Sequence, residues 1–378
     1  MKEPPRDRNS LSEVATLFLK LGIIGFGGPA VHIALIEQEV VRKRAWMTEE
    51  HFLDLVGATN LIPGPNSTEM TMHIGHEKAG WKGLIVAGSC FIVPAVIITA
   101  FFAWLYQKYG SLPEVQPFIY GIKPAIIAVV VSLMINLGRK ALKSIESGII
   151  GLLSAAAVLA GYNEIFVLFG GGLAGILIFA LKNAKKTVNG FFPFVLLQIT
   201  APAIHLSDLK IFVTFLKIGA ILYGSGYVLF AFLDAELVAK GILSKQQLVD
   251  AIAVGQFTPG PVFSSATFIG WQLGGVAGAI AATVGIFLPS FLFVALLNPL
   301  IPRLRKSKVL SAFLDTVNIV SIAIILSVIV EIGEVTLLDW GTIAIAVAGF
   351  GATFYFKKLN TAFIIFGGAL LGYLLHFI

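Results

Sequence analysis

Cysteine is nearly missing from this chain: Cys90 stands alone among 378 residues, so an internal disulfide and a cysteine-based metal site are both excluded. Charge is scarce too, at 13% against about 25% in a soluble domain, while 57% of residues are hydrophobic. A soluble globular fold is therefore excluded. No nucleophile elbow, phosphate loop or dinucleotide fingerprint is present, which leaves no cofactor to expect and removes the commonest enzyme classes. Residues 1–9 are polar and lack a short apolar core, so no secretory signal peptide is expected. The net charge of +6 points to no nucleic-acid partner, because most of the cations fall in short loops between apolar runs, where they set membrane orientation.

What is present is apolar sequence in runs long enough to cross a hydrocarbon layer about 30 Å thick. In the first half the pieces run near 12–25, 29–41, 50–62, 66–77, 83–106, 119–138, 146–160 and 163–181. In the second they run near 208–223, 227–239, 246–258, 262–271, 279–300, 310–330, 341–356 and 361–377. The first four of each half are too short to span alone. They are separated by Gly25-Phe26-Gly27-Gly28-Pro29, by Pro63-Gly64-Pro65 and by Pro259-Gly260-Pro261, through which no helix runs unbroken. Broken backbone at membrane depth is tolerated where protein buries it or it lines a wet cavity. A proline kink in one long span is the simpler alternative.

The order of these pieces repeats at a separation of about 195 residues. Phe18-Leu19-Lys20-Leu21-Gly22 matches Phe215-Leu216-Lys217-Ile218-Gly219, and Glu37 and Glu39 match Asp234 and Glu236. Asp54 matches Asp250, Ile74-Gly75 matches Ile269-Gly270, and Pro94 matches Pro289. The loop charges invert between the copies. Arg42, Lys43, Arg44, Lys78, Lys82, Arg139, Lys140, Lys143, Lys182, Lys185 and Lys186 fall on one side in the first half. In the second, the basic loops are those at Arg303, Arg305, Lys306, Lys308, Lys357 and Lys358, while Glu331, Glu334 and Asp339 occupy the loop that matches Arg139. By the positive-inside rule the halves lie upside down relative to each other. The expected fold is an all-α polytopic membrane protein of two inverted-topology repeats with broken, re-entrant helices. It divides into a cytoplasmic tail (1–10), a first repeat (11–186), a linking transmembrane segment (187–206) and a second repeat (207–378), with an external C-terminus.

Where a broken helix restarts, unpaired N–H groups make a ready anion site. Restarts are expected near Ala30, Asn66, Val228 and Val262, with Asn66, Ser67, Thr68, Ser264, Ser265 and Thr267 adding donors. Gly27, Gly28, Gly224 and Gly226 leave room for a ligand, or merely for tight helix packing. Lys20 and Lys217 sit at matching places in apolar segments and either complement a dianion or snorkel to an interface. Glu37, Glu39, Asp234 and Glu236 are candidates for coupling or gating, the alternative for the first pair being a salt-bridge cluster with Arg42, Lys43 and Arg44. Glu69, His73 and His76 share a helical face, but the second copy has Ser, Phe and Trp there, so no metal is expected.

From Phe18 to Pro94 the sequence resembles the chromate transporter family, on Gly25-Phe26-Gly27-Gly28-Pro29, Glu37-Gln38-Glu39-Val40-Val41, Trp46, Phe52, Leu61-Ile62-Pro63-Gly64-Pro65-Asn66, Gly80-Trp81-Lys82-Gly83 and Phe91-Ile92-Val93-Pro94. Gly255-Gln256-Phe257-Thr258-Pro259-Gly260-Pro261 through Pro289 is similar to the same module. The resemblance implies a secondary transporter of chromate in the cytoplasmic membrane, exporting it and conferring resistance, with sulfate as competitor or exchange partner. It also adds Asn60 and Gln256 to the binding candidates. Asn60 departs from the family pattern, which calls for Gln there, and Ser225-Gly226 replaces Gly28-Pro29 in the second copy. Sulfate or another oxyanion as cargo, and a passive anion channel, are the competing readings. One chain suffices for packed repeats, and a homodimer stays open.

Overall fold

The computed structural model describes residues 9–142, 144–182, 207–223, 226–297, 307–356 and 360–375. Among them are fourteen α-helices and no strand. The first module contributes α1 (Asn9–Ile24), α2 (Pro29–Glu37), α3 (Glu49–Thr59), α4 (Asn66–Tyr109), α5 (Gln116–Ala141), α6 (Ile145–Leu159) and α7 (Glu164–Lys182). The second contributes α8 (Asp208–Ile221), α9 (Leu229–Leu233), α10 (Lys245–Phe257), α11 (Ser265–Leu297), α12 (Lys308–Thr336), α13 (Trp340–Tyr355) and α14 (Thr361–Leu375). Caps recur with the repeat. Thr48 accepts from His51 N at the start of α3, and Ser244 forms a capping box at the start of α10.

The helices at α4 and α11 are not straight. Ala79 and Gly80 leave helical geometry in α4, and Gly274 and Gly275 do so in α11 with nearly the same angles. A Cβ on Gly75 would lie 2.3 Å from the Gly83 carbonyl oxygen, although residues eight apart in a continuous helix are separated by about 12 Å. Residues 66–78 and 81–109 therefore fold against each other as a hairpin. Gly270 and Gly278 make the same contact in α11. Only glycine permits such closeness at these two crossings. The separate pieces expected at 66–77 and 83–106 are the two arms of this hairpin, and the expected break between them is its tip.

The two hairpins point in opposite directions. Trp271, beside the second tip, donates to Gln107 at 2.8 Å, at the end of α4 remote from the first tip. Gly88 lies against Phe291. Glu13, Lys78 and Trp46 gather on one face, with Lys78 Nζ 3.4 Å from Glu13 and 4.9 Å from the Trp46 ring. Asp208 lies by Gly274 on the other face. The inverted-repeat architecture read from the loop charges is the one observed. The linking segment at 187–206 and the loops carrying Lys143, Lys185, Arg303 and Lys357 lie outside the described residues.

The modules also exchange helices. α6 and α7 pack on α12, where Gly151 meets Ile319 and Gly171 meets Val320, while α13 and α14 pack on α5, where Gly349 meets Ala128 and Gly121 meets Gly368. Small residues let backbones approach, which is how helices associate in lipid. Among the described residues, five segments (66–109, 116–139, 164–182, 262–296 and 308–336) are long and apolar enough to cross a membrane. The protein is a multi-pass membrane protein.

Candidate functional site

The Pro-Gly-Pro corners meet the breaks of the opposite module. Gly64 N donates to Leu222 O at 2.9 Å, just past the end of α8. Gly260 N donates to Gly25 O at 2.7 Å, just past the end of α1. A helix end leaves carbonyls without partners, and here each corner supplies the missing donor to the other module. Gly64 has φ 137° and Gly260 has φ 85°, both left-handed values that disfavour other residues. A Cβ at Gly64 would come within 2.4 Å of Ser290 Oγ on α11, and one at Gly260 within 2.6 Å of the Ala95 Cβ on α4. Pro63, Pro65, Pro259 and Pro261 flank these contacts, so both corners lie where the modules interlock.

Around the corners, polar atoms are buried without protein partners. They are Thr68 Oγ1, Gln256 Nε2 and Ser264 Oγ, while Ser290 Oγ and the Glu69 carboxylate are buried with only each other. Such groups in the interior of a protein normally find partners, so their concentration here marks a place built for something else. The other predicted polar residues have protein partners, Thr267 Oγ1 meeting Thr283 Oγ1 at 2.7 Å across the second hairpin. The Asn66 amide donates to Asn60 Oδ1, and Ser265 Oγ donates to Val262 O at 2.9 Å. Ser67 meets His32 Nδ1 at 3.3 Å, while His32 Nε2 sits 2.9 Å from Gly25 O, tying the first break to the start of α4. His32 and Ser290 were not singled out from sequence. Gly27 and Gly28 take positive φ before Pro29. Gly224 lies outside the described residues.

The restarts differ between modules. The first module restarts as full α-helix at Pro29 and at Asn66. The second restarts through tighter 3-10 turns, Gly226–Val228 and Val262–Ser264, the former leading only into the five residues of α9. Gly226 stands where Pro29 presets φ in the first module.

The intramembrane charges are engaged with one another. Lys20 Nζ lies 3.0 Å from Glu39, which also pairs with Lys43 at 3.1 Å and with Arg44. Lys217 lies 2.6 Å from Glu236, which pairs with Lys240 at 2.5 Å. A π-helical turn, Gln38–Lys43 in one module and Asp234–Val238 in the other, places each glutamate. Glu37 pairs with Arg42 at 2.8 Å. Asp234 is held by Lys245 at 2.8 Å, and Lys245 also pairs with Glu331. The salt-bridge alternative thus describes these carboxylates, and it extends to both lysines. One carboxylate against three cations leaves +2 at the first cluster, and one against two leaves +1 at the second.

Asp250 is bound across the modules by Lys123 on α5 at 3.0 Å and by the Tyr106 hydroxyl at 2.5 Å. Lys123 was not anticipated from sequence. Among the described residues no three His, Cys, Asp or Glu side chains form a metal-binding group.

The family model described as chromate transporter matches residues 12–176 and 209–373. The chain is 29% identical over 375 residues to a probable chromate transport protein of Synechococcus elongatus, covering 96% of this chain and 95% of that one. It is 28% identical over 373 residues to the chromate transport protein of Cupriavidus metallidurans, covering 96% and 92%. It is 25% identical over 391 residues to an uncharacterized transporter of Methanocaldococcus jannaschii, covering 99% and 96%. No solved structure matches the chain.

Proposed function

The chain belongs to the chromate transporter family, and from that membership and the corner geometry we propose that it is a secondary transporter of chromate, with sulfate as competitor or exchange partner. The observation that carries the reading is the reciprocal pair of corner-to-break hydrogen bonds, with unpartnered Thr68, Gln256 and Ser264 gathered around them. A tetrahedral dianion offers four acceptor oxygens. Donors held in a dry site each contribute about 1.5–3 kcal/mol to such an ion. Hydroxyls and an amide bind the anion without neutralising it, so it is released as readily as it is taken up.

Lys20 and Lys217, already paired, act outside the pocket. The net positive cluster around Glu39 raises the local anion concentration on its face. Modules 11–186 and 207–378, joined by 187–206, rock against each other at the interlocked corners, as in other inverted-repeat carriers. With the face of Arg42, Lys43 and Arg44 cytoplasmic, in the cytoplasmic membrane, the inside-negative potential drives the anion outward, by about 2.3 kcal/mol per charge per 100 mV. Efflux of this kind confers chromate resistance.

Radiolabelled chromate uptake into proteoliposomes holding the purified protein tests the reading. Uptake saturates, is inhibited by external sulfate and is accelerated by sulfate preloaded inside. Flux that rises linearly with concentration and ignores the far-side anion belongs to a channel. No flux above protein-free liposomes contradicts transport altogether.

A further inference from the structure

Glu69 has no role in anion binding as described, yet it is the carboxylate set deepest among the corner residues. Its side chain is wholly buried, and among the described residues its carboxylate meets no hydrogen-bond partner but Ser290. It bends back onto the first corner, where a Cβ at Gly64 would lie 2.2 Å from its Oε1 and 2.4 Å from Ser290 Oγ. Its polar and titratable surroundings among the described residues come from every element packed there. Ser290 faces it from α11, and Tyr223 lies within electrostatic reach at the α8 break. His73 is one turn along its own arm, and His32 on α2 reaches the neighbouring Ser67. None of these is a lysine or an arginine.

This sets Glu69 apart from Glu39 and Glu236. Each of those is held by two or more cations and has every reason to remain ionised, so neither offers a place for a moving proton. A carboxylate ion in a dry site without a counter-charge is costly. A dianion bound at Thr68, the residue next to it, adds like-charge repulsion to that cost. Both costs vanish if the carboxyl carries a proton while the anion is in place. The device is also single. In the repeat register Glu69 matches Ser264 and Ser290 matches Ala95, so a Cβ at the second corner, Gly260, would meet the Ala95 methyl group and the Gly22 carbonyl oxygen, and no carboxylate.

We propose that Glu69 is the proton-binding group of this transporter, carrying one proton with chromate through the closed pocket and releasing it to water when the pocket opens on the far side and chromate leaves. The inference rests on the transport reading above and names its coupling ion. The balance is simple: one dianion and one proton move together, so one net negative charge crosses per cycle, and no oxidation step is involved. The membrane potential still drives the complex outward, with half the electrical work of a bare dianion.

The test uses proteoliposomes with a trapped pH indicator and radiolabelled chromate, at mildly alkaline pH where chromate itself is fully ionised. In the wild-type protein, chromate uptake acidifies the lumen by about one proton per chromate. In Glu69→Gln, chromate uptake persists, the acidification is lost and an imposed pH gradient no longer changes the rate. Glu69→Asp restores proton movement. Wild-type uptake without lumenal acidification overturns the proposal even if no variant folds. So does Glu69→Gln that acidifies as the wild type does, or wild-type flux that follows sodium instead of protons. If the wild-type liposomes take up no chromate, the transport reading fails first and the proton site falls with it.

Discussion

Gly64→Ala abolishes most chromate transport, while Gly241→Ala leaves it near the wild-type rate. Both glycines have positive φ, 137° and 67° respectively, so each substitution carries backbone strain of about 1–3 kcal/mol. The difference is space. A Cβ at Gly241 meets nothing within 4 Å, whereas one at Gly64 collides with Glu69 and Ser290 and drives the corner away from Leu222 O. Breaking that hydrogen bond disconnects the first module from the α8 break. The strain is common to both variants, so the loss of at least about tenfold expected for Gly64→Ala comes from the collision and the displaced corner. Vesicle uptake, normalised to folded protein by size-exclusion recovery, reads the difference. Equal activity in the two variants contradicts the corner as a working contact.

Gln256→Leu and Thr68→Val have a different signature, in which stability and transport move apart. Gln256 Nε2 and Thr68 Oγ1 are buried without a hydrogen-bond partner. Replacing an unpartnered buried polar group with an apolar one of similar shape is neutral or stabilising. The same change removes a donor to the bound oxyanion, which costs about 1.5–3 kcal/mol, or roughly tenfold to a hundredfold in apparent affinity. The expected result is an unchanged or higher melting temperature in detergent and a KM for chromate raised by about tenfold or more in each variant. A purely structural role predicts the opposite pairing, a lower melting temperature with an unaltered KM.

The sequence made the large plan legible because its signals are periodic and redundant. Loop charges reported the inversion, and the repeated Pro-Gly-Pro and the first module's Gly-Gly-Pro reported where helices stop, since proline and glycine act on the local backbone. The tip at Ala79 and Gly80 shows in the sequence only as a gap between apolar segments, as a tight hairpin does along the chain. The partners were not legible. Lys20 and Glu39 are nineteen residues apart and meet only because a π-helical turn adds a residue at Gln38–Lys43, a shift that no helical periodicity announces. Asp250 was noticed, but its cation, Lys123, lies in the other module. The same limit hid Ser290, whose importance comes from a corner more than two hundred residues upstream. His32 did leave a trace, as a lone imidazole in the short apolar piece between the first break and the first corner. Residue type and local pattern fix where the chain breaks, and non-local packing decides which broken ends find each other.

The most direct test is to locate the anion itself, by anomalous diffraction at the chromium edge from crystals of the protein grown with chromate. The account predicts one peak per chain between the two Pro-Gly-Pro corners, within hydrogen-bonding reach of Thr68, Gln256 and Ser264. A peak seated instead on the Lys20 or Lys217 clusters, with the corner region empty, would contradict it.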